Sequence, residues 1–381
     1  MISRRTQEIK PFLVMDVLEK AHSMERTGIH VIHLEVGEPD FDTPACIKNA
    51  AIRALEAGHT HYTHSLGLLE LREAICRHYQ RRYGVVIVPD QVVVTSGTSP
   101  AMFMLFAALL EPGDRVIISD PHYACYPNFI RFAGGEPVTV PVYEDDGFQF
   151  RPEVIKGKID ARTKAIFINS PSNPTGNLLS HDRMESISRL TPYIISDEIY
   201  HGLVYKGEEH SILEYTDRAF VLNGFSKVFA MTGWRLGYLI APKPFIRAIQ
   251  KVHQNFFISA NAMVQWAGIA ALEEAAEDVA RMRAIYDERR RFMIKRLKEI
   301  GFGITVEPTG AFYALANAKR FSNDSYELAF DILEKAHVGV TPGVDFGANA
   351  EGYLRFSYAS ALKNVAEGMD RIERYIARTS A

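Results

Sequence analysis

Short apolar, β-branched runs alternate along the chain with segments whose apolar residues recur at helical spacing. The runs fall at residues 91–95, 115–119, 138–142, 165–169, 193–196, 220–222 and 236–240. That rhythm predicts helices packed on a mostly parallel sheet. Ala165, Ile166, Phe167 and Ile168 follow one another without a polar break, as do Val116, Ile117 and Ile118, which is how strands buried on both faces read. The expectation is a large α/β domain over residues 42–284. Residues 261–300 contain no proline and keep helical spacing, with charge thickening after Glu273, which predicts a long connecting helix with room for a kink. Beyond it, a strand-like stretch at 303–315, a helix at 326–335, a strand at 353–357 and a terminal helix at 362–378 predict a smaller α+β domain. That domain is expected to comprise residues 1–41 and 285–381. No repeat, low-complexity tract or Gly/Ser/Pro-rich linker separates the two units, so the cleft between them is the expected ligand site.

Composition narrows the partners. The 381 residues are 47% apolar and 23% charged, enough to bury a large core. A net charge of -3 and a pI near 6.5 supply no basic field, which argues against nucleic acid and anionic membranes and for small molecules. Cys46, Cys76 and Cys125 are scattered without CxxC spacing, against a disulfide framework or a thiolate zinc site and in keeping with a cytoplasmic location. The first residues, MISRRTQEIKP, lack the apolar core of a secretory signal, and the longest strongly apolar stretch, residues 101–110, is too short to span a bilayer.

Polar residues gather at the ends of the apolar runs. Ser226 and Lys227 follow the run ending at Leu222 and Asn223. Two readings of Lys227 stand side by side: an amine that snorkels to solvent, or one that forms a Schiff base with a carbonyl cofactor. Ser196, Asp197, Glu198, Ile199 and Tyr200 close another run, and Asn169 to Gly176, NSPSNPTG, close the one before it. In an open α/β sheet such ends converge on the ligand. Asp197 there suits a pyridine nitrogen that must stay protonated. Thr95, Ser96, Gly97, Thr98 and Ser99 form a strand, glycine turn and helix start, whose free N–H groups suit a phosphate and equally suit a plain helix cap. Arg235 offers a fixed charge in the fork geometry that phosphate favours, or a surface ion pair.

Taken in order, GEPDF, YTxxxGxxELR, NPTG, SDEIY, SKxxxxxGWRxG and RFSYA resemble the fold-type I, class I and II aminotransferases that use pyridoxal 5′-phosphate, over residues 36–359. The resemblance implies an enzyme moving an amino group from an L-amino acid to a 2-oxo acid by a ping-pong mechanism. It implies that Lys227 holds the cofactor as an imine and shuttles the α-proton, that Asp197 binds the ring nitrogen, and that Tyr200 and Asn173 bond the phenolic oxygen. Gly97, Thr98, Ser99, Ser226 and Arg235 would hold the phosphate, and Tyr123 would stack on the ring. Arg355 would clamp the substrate α-carboxylate with Gly37 and Asn173 alongside. Tyr62 would reach the phosphate of the neighbouring subunit, which implies a homodimer with shared active sites.

Other readings compete. The same scaffold supports a β-eliminating lyase of the C–S type. A ligand-sensing regulator would need a DNA-binding unit that the residues before His33 cannot hold. His59, His61 and His64 lack metal-ligand spacing, so no metal is expected. Glu38 and Asp40 read as the GEPDF loop, and Asp145 and Asp146 as a turn before Gly147. The amphipathic segment at 11–24 reads as a cover for the cleft or a dimer contact ahead of a membrane binder. In the aspartate-using branch, relatives that act on acidic substrates carry lysine at the position of Ser99, a charge that an arginine of the neighbouring subunit could also supply. The absence of that lysine here, with Tyr123, Phe312, Tyr313 and the amino-terminal apolar helix, points to neutral or aromatic amino acids.

Overall fold

The computed structural model describes residues 2–379. Seven strands form the central sheet in the spatial order Val92–Thr95, Gly237–Ile240, Ala219–Gly224, Tyr193–Asp197, Thr163–Asn169, Arg115–Asp120 and Glu136–Pro141. Gly237–Ile240 pairs antiparallel with both of its neighbours, and the other pairings are parallel. Helices cover both faces, so successive residues of one strand enter different cores. Val93, Val116, Ile118, Ala165 and Phe167 pack with Met102, Leu105 and Phe106. Val92, Val94, Ile117, Ile166 and Ile168 pack with Ile47, Leu71 and Ile75 on the opposite side. The unbroken apolar runs are the consequence: neither face of a parallel strand meets water.

A three-stranded antiparallel sheet, Thr341–Pro342, Tyr353–Ser357 and Tyr313–Asn317, carries the later part of the chain. Helices Ser325–Ala336 and Leu362–Thr379 match their expected positions. Two expectations need correction. The segment at 261–300 is two helices, Ala262–Glu274 and Ala276–Ile300, broken at Ala275 where φ and ψ are −91° and 13°. Of the stretch at 303–315 only its end is strand, because Pro308 has no N–H to give a ladder and Gly303 and Gly310 form only isolated bridges, to Asn317 and Val204. The boundary expected at residue 284 falls within Ala276–Ile300.

The amino-terminal helix Leu13–Glu25 lies over the cleft. It has no side-chain cap of its own. Instead the Asp345 carboxylate accepts from the N–H groups of Leu13 and Val14 at 3.0 and 3.3 Å, satisfying donors that a helix start leaves free.

Candidate active site

The carboxyl ends of the parallel strands and the antiparallel sheet enclose a cleft of about 340 Å³. Lys227, Asp197, Tyr200, Asn173 and Ser226 line it, as do Thr98, Ser99, Tyr123 and Arg235, with Gly37 and Arg355 on the other wall. Residues scattered over most of the chain thus share one space. Tyr62 stands outside it, 82% exposed.

Asp197 ends its strand and is buried. Its Oδ2 accepts from the Tyr126 hydroxyl at 2.7 Å and its Oδ1 from the Ile199 N–H at 3.1 Å. Burial nevertheless pushes its pKa up to about 6, so a cation placed beside it is favoured. Asn169, one strand over, donates to the Asp197 carbonyl at 2.9 Å and accepts from the Asn173 N–H at 2.8 Å. This ties the NPTG turn to the strand that carries the acid.

Lys227 follows the strand Ala219–Gly224. Its Nζ donates to the Gly37 carbonyl at 2.7 Å. Burial lowers its pKa to about 8, with Glu38 opposing that shift and Arg355 and Arg235 reinforcing it. A free amine is therefore accessible near neutral pH. The Tyr200 and Tyr313 hydroxyls share a hydrogen bond of 2.9 Å, and burial raises both phenols.

The helix Thr98–Leu109 starts at Gly97, whose φ of 99° is open to glycine and strained for other residues. A Cβ on Gly97 would stand 2.8 Å from Nη2 of Arg235, and one on Gly237 would stand 3.0 Å from the Thr98 nitrogen. Two glycines thus let a guanidinium and a helix amino terminus crowd together. Arg235 itself takes a positive φ of 55°, a costly geometry for a side-chain-bearing residue that is characteristic of functional turns. Its Nη1 donates to the Thr232 carbonyl at 2.9 Å, leaving the rest of the fork free for an anion.

Arg355 is 2% exposed and has no carboxylate partner among the described residues. Nη1 donates to Asn173 Oδ1 at 2.9 Å, and Nη2 to the Glu35 carbonyl at 2.5 Å and Thr341 Oγ1 at 3.1 Å. Its guanidinium lies over the rings of Tyr313 and Phe346, and Nε is buried without a partner. A buried cation held only by neutral groups calls for an incoming anion.

Tyr126, Glu35 and Thr341 escaped the sequence reading, whereas Asn169 opens the NSPSNPTG stretch singled out there. Tyr126 follows Tyr123 by three residues on the same turn, the one local signal that pointed to it. Glu38 lines the cleft and accepts from Thr232, whereas Asp40 forms a two-pronged ion pair with Arg289 and Asp146 pairs with Arg151 and Arg183. His59 packs against Trp266 with ring centroids 5.0 Å apart. Phe312 contributes behind the cleft, with Lys227 Nζ 6.0 Å from its ring centroid. Phe12, Val14, Met15 and Leu18 close the cleft from the amino-terminal helix.

The donor set fits pyridoxal phosphate: a helix start and a free guanidinium for phosphate, a buried carboxylate for a ring cation, and a depressed amine between them. A fold of this kind with such a site defines a pyridoxal-phosphate transferase. The chain belongs to the aminotransferase class I and II family, whose pattern it matches over residues 29–372, and it is a pyridoxal-phosphate-dependent aminotransferase. It is 41% identical to a (5-formylfuran-3-yl)methyl phosphate transaminase of Methanocaldococcus jannaschii, covering 99% of this chain and 100% of that one. It is 40% identical to an aspartate/prephenate aminotransferase of Thermus thermophilus, covering 99% of each. The solved aspartate aminotransferase of Thermus thermophilus with maleate superposes with a TM-score of 0.94 at 39% identity, over 98% of this chain and 99% of that one. These relatives transfer amino groups, and none supports the eliminating lyase. No described helix is long and apolar enough to cross a membrane.

Proposed function

We propose that this aminotransferase acts on neutral or aromatic L-amino acids, with Lys227 as the acid–base residue and Arg355 as the carboxylate clamp. Pyridoxal phosphate, when bound, supplies the electron sink that makes the substrate α-proton removable. Asp197 keeps a cationic ring nitrogen at its carboxylate, and Tyr126 holds that carboxylate in place. Tyr200 and Asn173 donate toward the phenolic oxygen, and Tyr123 covers the ring. Gly97, Thr98, Ser99, Ser226 and Arg235 hold the phosphate. The amine of Lys227 would take the α-proton and return it two atoms away, on the far side of the amino nitrogen, a transfer suited to a base whose pKa lies near 8.

The observation that carries this reading is the pairing, in one cleft, of a depressed amine with a buried arginine that lacks a counter-ion. Borohydride reduction of the yellow holoprotein followed by peptide mapping is expected to leave the cofactor on Lys227; a label on another lysine would refute the assignment.

The substrate class rests on the far end of the cleft. Phe12, Val14, Met15 and Leu18 face it, and every cation lining the cleft, Lys227, Arg235 and Arg355, already has a role. Glu38 adds a carboxylate that disfavours a second acidic group. With 2-oxoglutarate and pyruvate as acceptors, phenylalanine, tyrosine and leucine are expected to outrun aspartate, and a strong preference for aspartate would overturn the reading.

The proposal extends to a cytoplasmic homodimer in which Tyr62 completes the partner's phosphate site. The exposure of Tyr62 and the three unpaired cysteines support it. The proposal extends as well to a division into a large unit, residues 42–284, and a small one, residues 1–41 and 285–381, with the later boundary inside the helix Ala276–Ile300. Mixing subunits carrying Tyr62→Ala with subunits carrying Lys227→Ala tests the dimer: activity restored in the hybrid is expected, and two inert parents with an inert hybrid would count against shared sites.

A further inference from the structure

Behind the segment that carries Lys227 lies a second cavity of about 420 Å³, separate from the catalytic cleft. Phe225, Val228 and Phe229 form an apolar wall, and Leu272 and Val279 face it from the helices Ala262–Glu274 and Ala276–Ile300. The polar lining is one-sided: His78, Arg81, Arg82, His201, Asn223 and Arg283, with no carboxylate among them.

The arginines are not equivalent. Arg82 is neutralised by Glu209, to which its Nε donates at 2.5 Å. Arg81 and Arg283 form no hydrogen bond or ion pair with the described residues, so their charges at the cavity are uncompensated. The field is visible in His78. Burial and, after it, the charges of Arg82 and Arg81 hold its pKa down at about 4, so it stays neutral and adds no competing charge.

The floor holds a polar group without a partner. His201 is 6% exposed, and its Nδ1 lies 2.6 Å from the Tyr83 hydroxyl. Its Nε2 is buried and unbonded. A buried ring nitrogen left without a partner is unfavourable, and it persists where something else supplies the bond. Tyr83 has one hydroxyl proton and also donates to Glu209 at 3.3 Å, so Nδ1–H of His201 donates to Tyr83 and Nε2 is left as an acceptor. A cavity with two free guanidinium groups and an apolar wall has the make-up of a small-ligand site. An ammonium group would meet the arginines unfavourably, which sets aside amino acids in favour of simple carboxylates.

We propose that this cavity is a binding site for an aromatic carboxylate, with Arg81 and Arg283 engaging the carboxylate and Phe225, Val228 and Phe229 packing against the ring.

The test uses the cofactor-loaded enzyme and 3-phenylpropionate, which has neither an amino nor an oxo group to react. Binding is followed by calorimetry in the wild type, in Arg355→Ala, and in the double variant Arg81→Glu with Arg283→Glu. Removing Arg355 disables carboxylate binding in the cleft, so a site that survives in Arg355→Ala within about twofold lies elsewhere. The double variant changes two exposed side chains, and matched thermal unfolding will show that it folds. It is expected to weaken the Arg355-independent binding at least about tenfold. Leu272→Trp, which fills the cavity without touching its charges, is expected to do the same. Loss of all binding in Arg355→Ala up to about 10 mM ligand would overturn the proposal. Undiminished binding in both cavity variants would overturn it too. Inorganic phosphate competing fully while Leu272→Trp has no effect would reduce the site to a surface charge effect and likewise refute it.

Discussion

The two walls of the catalytic cleft are built on opposite plans. On the proposed cofactor wall, both oxygens of Asp197 already have protein donors, and Asn169 fastens the adjoining turn. Its residues sit just past the ends of parallel strands, where a buried sheet stops and side chains can turn toward a ligand. On the proposed substrate wall, Arg355 lies mid-strand in Tyr353–Ser357, buried, unneutralised and with Nε unbonded. A partner that remains through many turnovers is met by groups that are preorganised and nearly satisfied. One that comes and goes must bring its own counter-charge, and the site keeps a cation waiting at a cost in stability.

This contrast predicts different kinetic failures. Asp197→Ala strikes the cofactor wall and is expected to lower kcat on the order of 10³-fold with little change in KM, because the lost carboxylate matters most as charge develops. Steady-state kinetics check it; an equal rise in KM with kcat intact would erase the distinction. Arg355→Ala strikes the substrate wall and is expected to cost on the order of 10²-fold in kcat/KM, carried mainly by KM. Substrates lacking the α-carboxylate should show no such loss, and if they lose as much, Arg355 supports the wall's structure and not the substrate.

The walls also differed in how far they could be read from sequence. Lys227, Asp197 and Asn173 follow unbroken apolar runs, so strand pattern alone directed attention to them. Arg355 sits inside a strand of a small antiparallel sheet, and only the family resemblance singled it out. Tyr126 and Thr341 carried no motif. Their roles depend on tertiary approach, a hydroxyl reaching Asp197 across 71 positions and another meeting Arg355 from a neighbouring strand, and periodicity holds no record of either. The stretch at 303–315 misled for a related reason: its apolar residues before Tyr313 lie half-buried or buried in loop, because Pro308 and Gly310 stop the ladder expected there.

The smallest expected effect lies at the seam, where Lys227 from one wall donates to Gly37 on the other. Without cofactor, burial lowers the amine's pKa from 10.5 to about 8. Between those values the unfolded chain holds the proton that the folded chain has released, so stability rises with pH across about 8 to 10.5. Below pH 8 both states are protonated, and the folded one bears the full penalty of a partly desolvated cation. Lys227→Met keeps the side chain's bulk and removes the charge. Its apoprotein is therefore expected to melt a few degrees above the wild-type apoprotein at pH 7, with the gap closing as pH approaches 10.5. The Gly37 carbonyl loses its donor in that variant, and water in the open cleft can replace it. Differential scanning calorimetry of both apoproteins at several pH values measures the gap. A constant difference across pH would assign the effect to packing alone and leave the two walls without an electrostatic link through this amine.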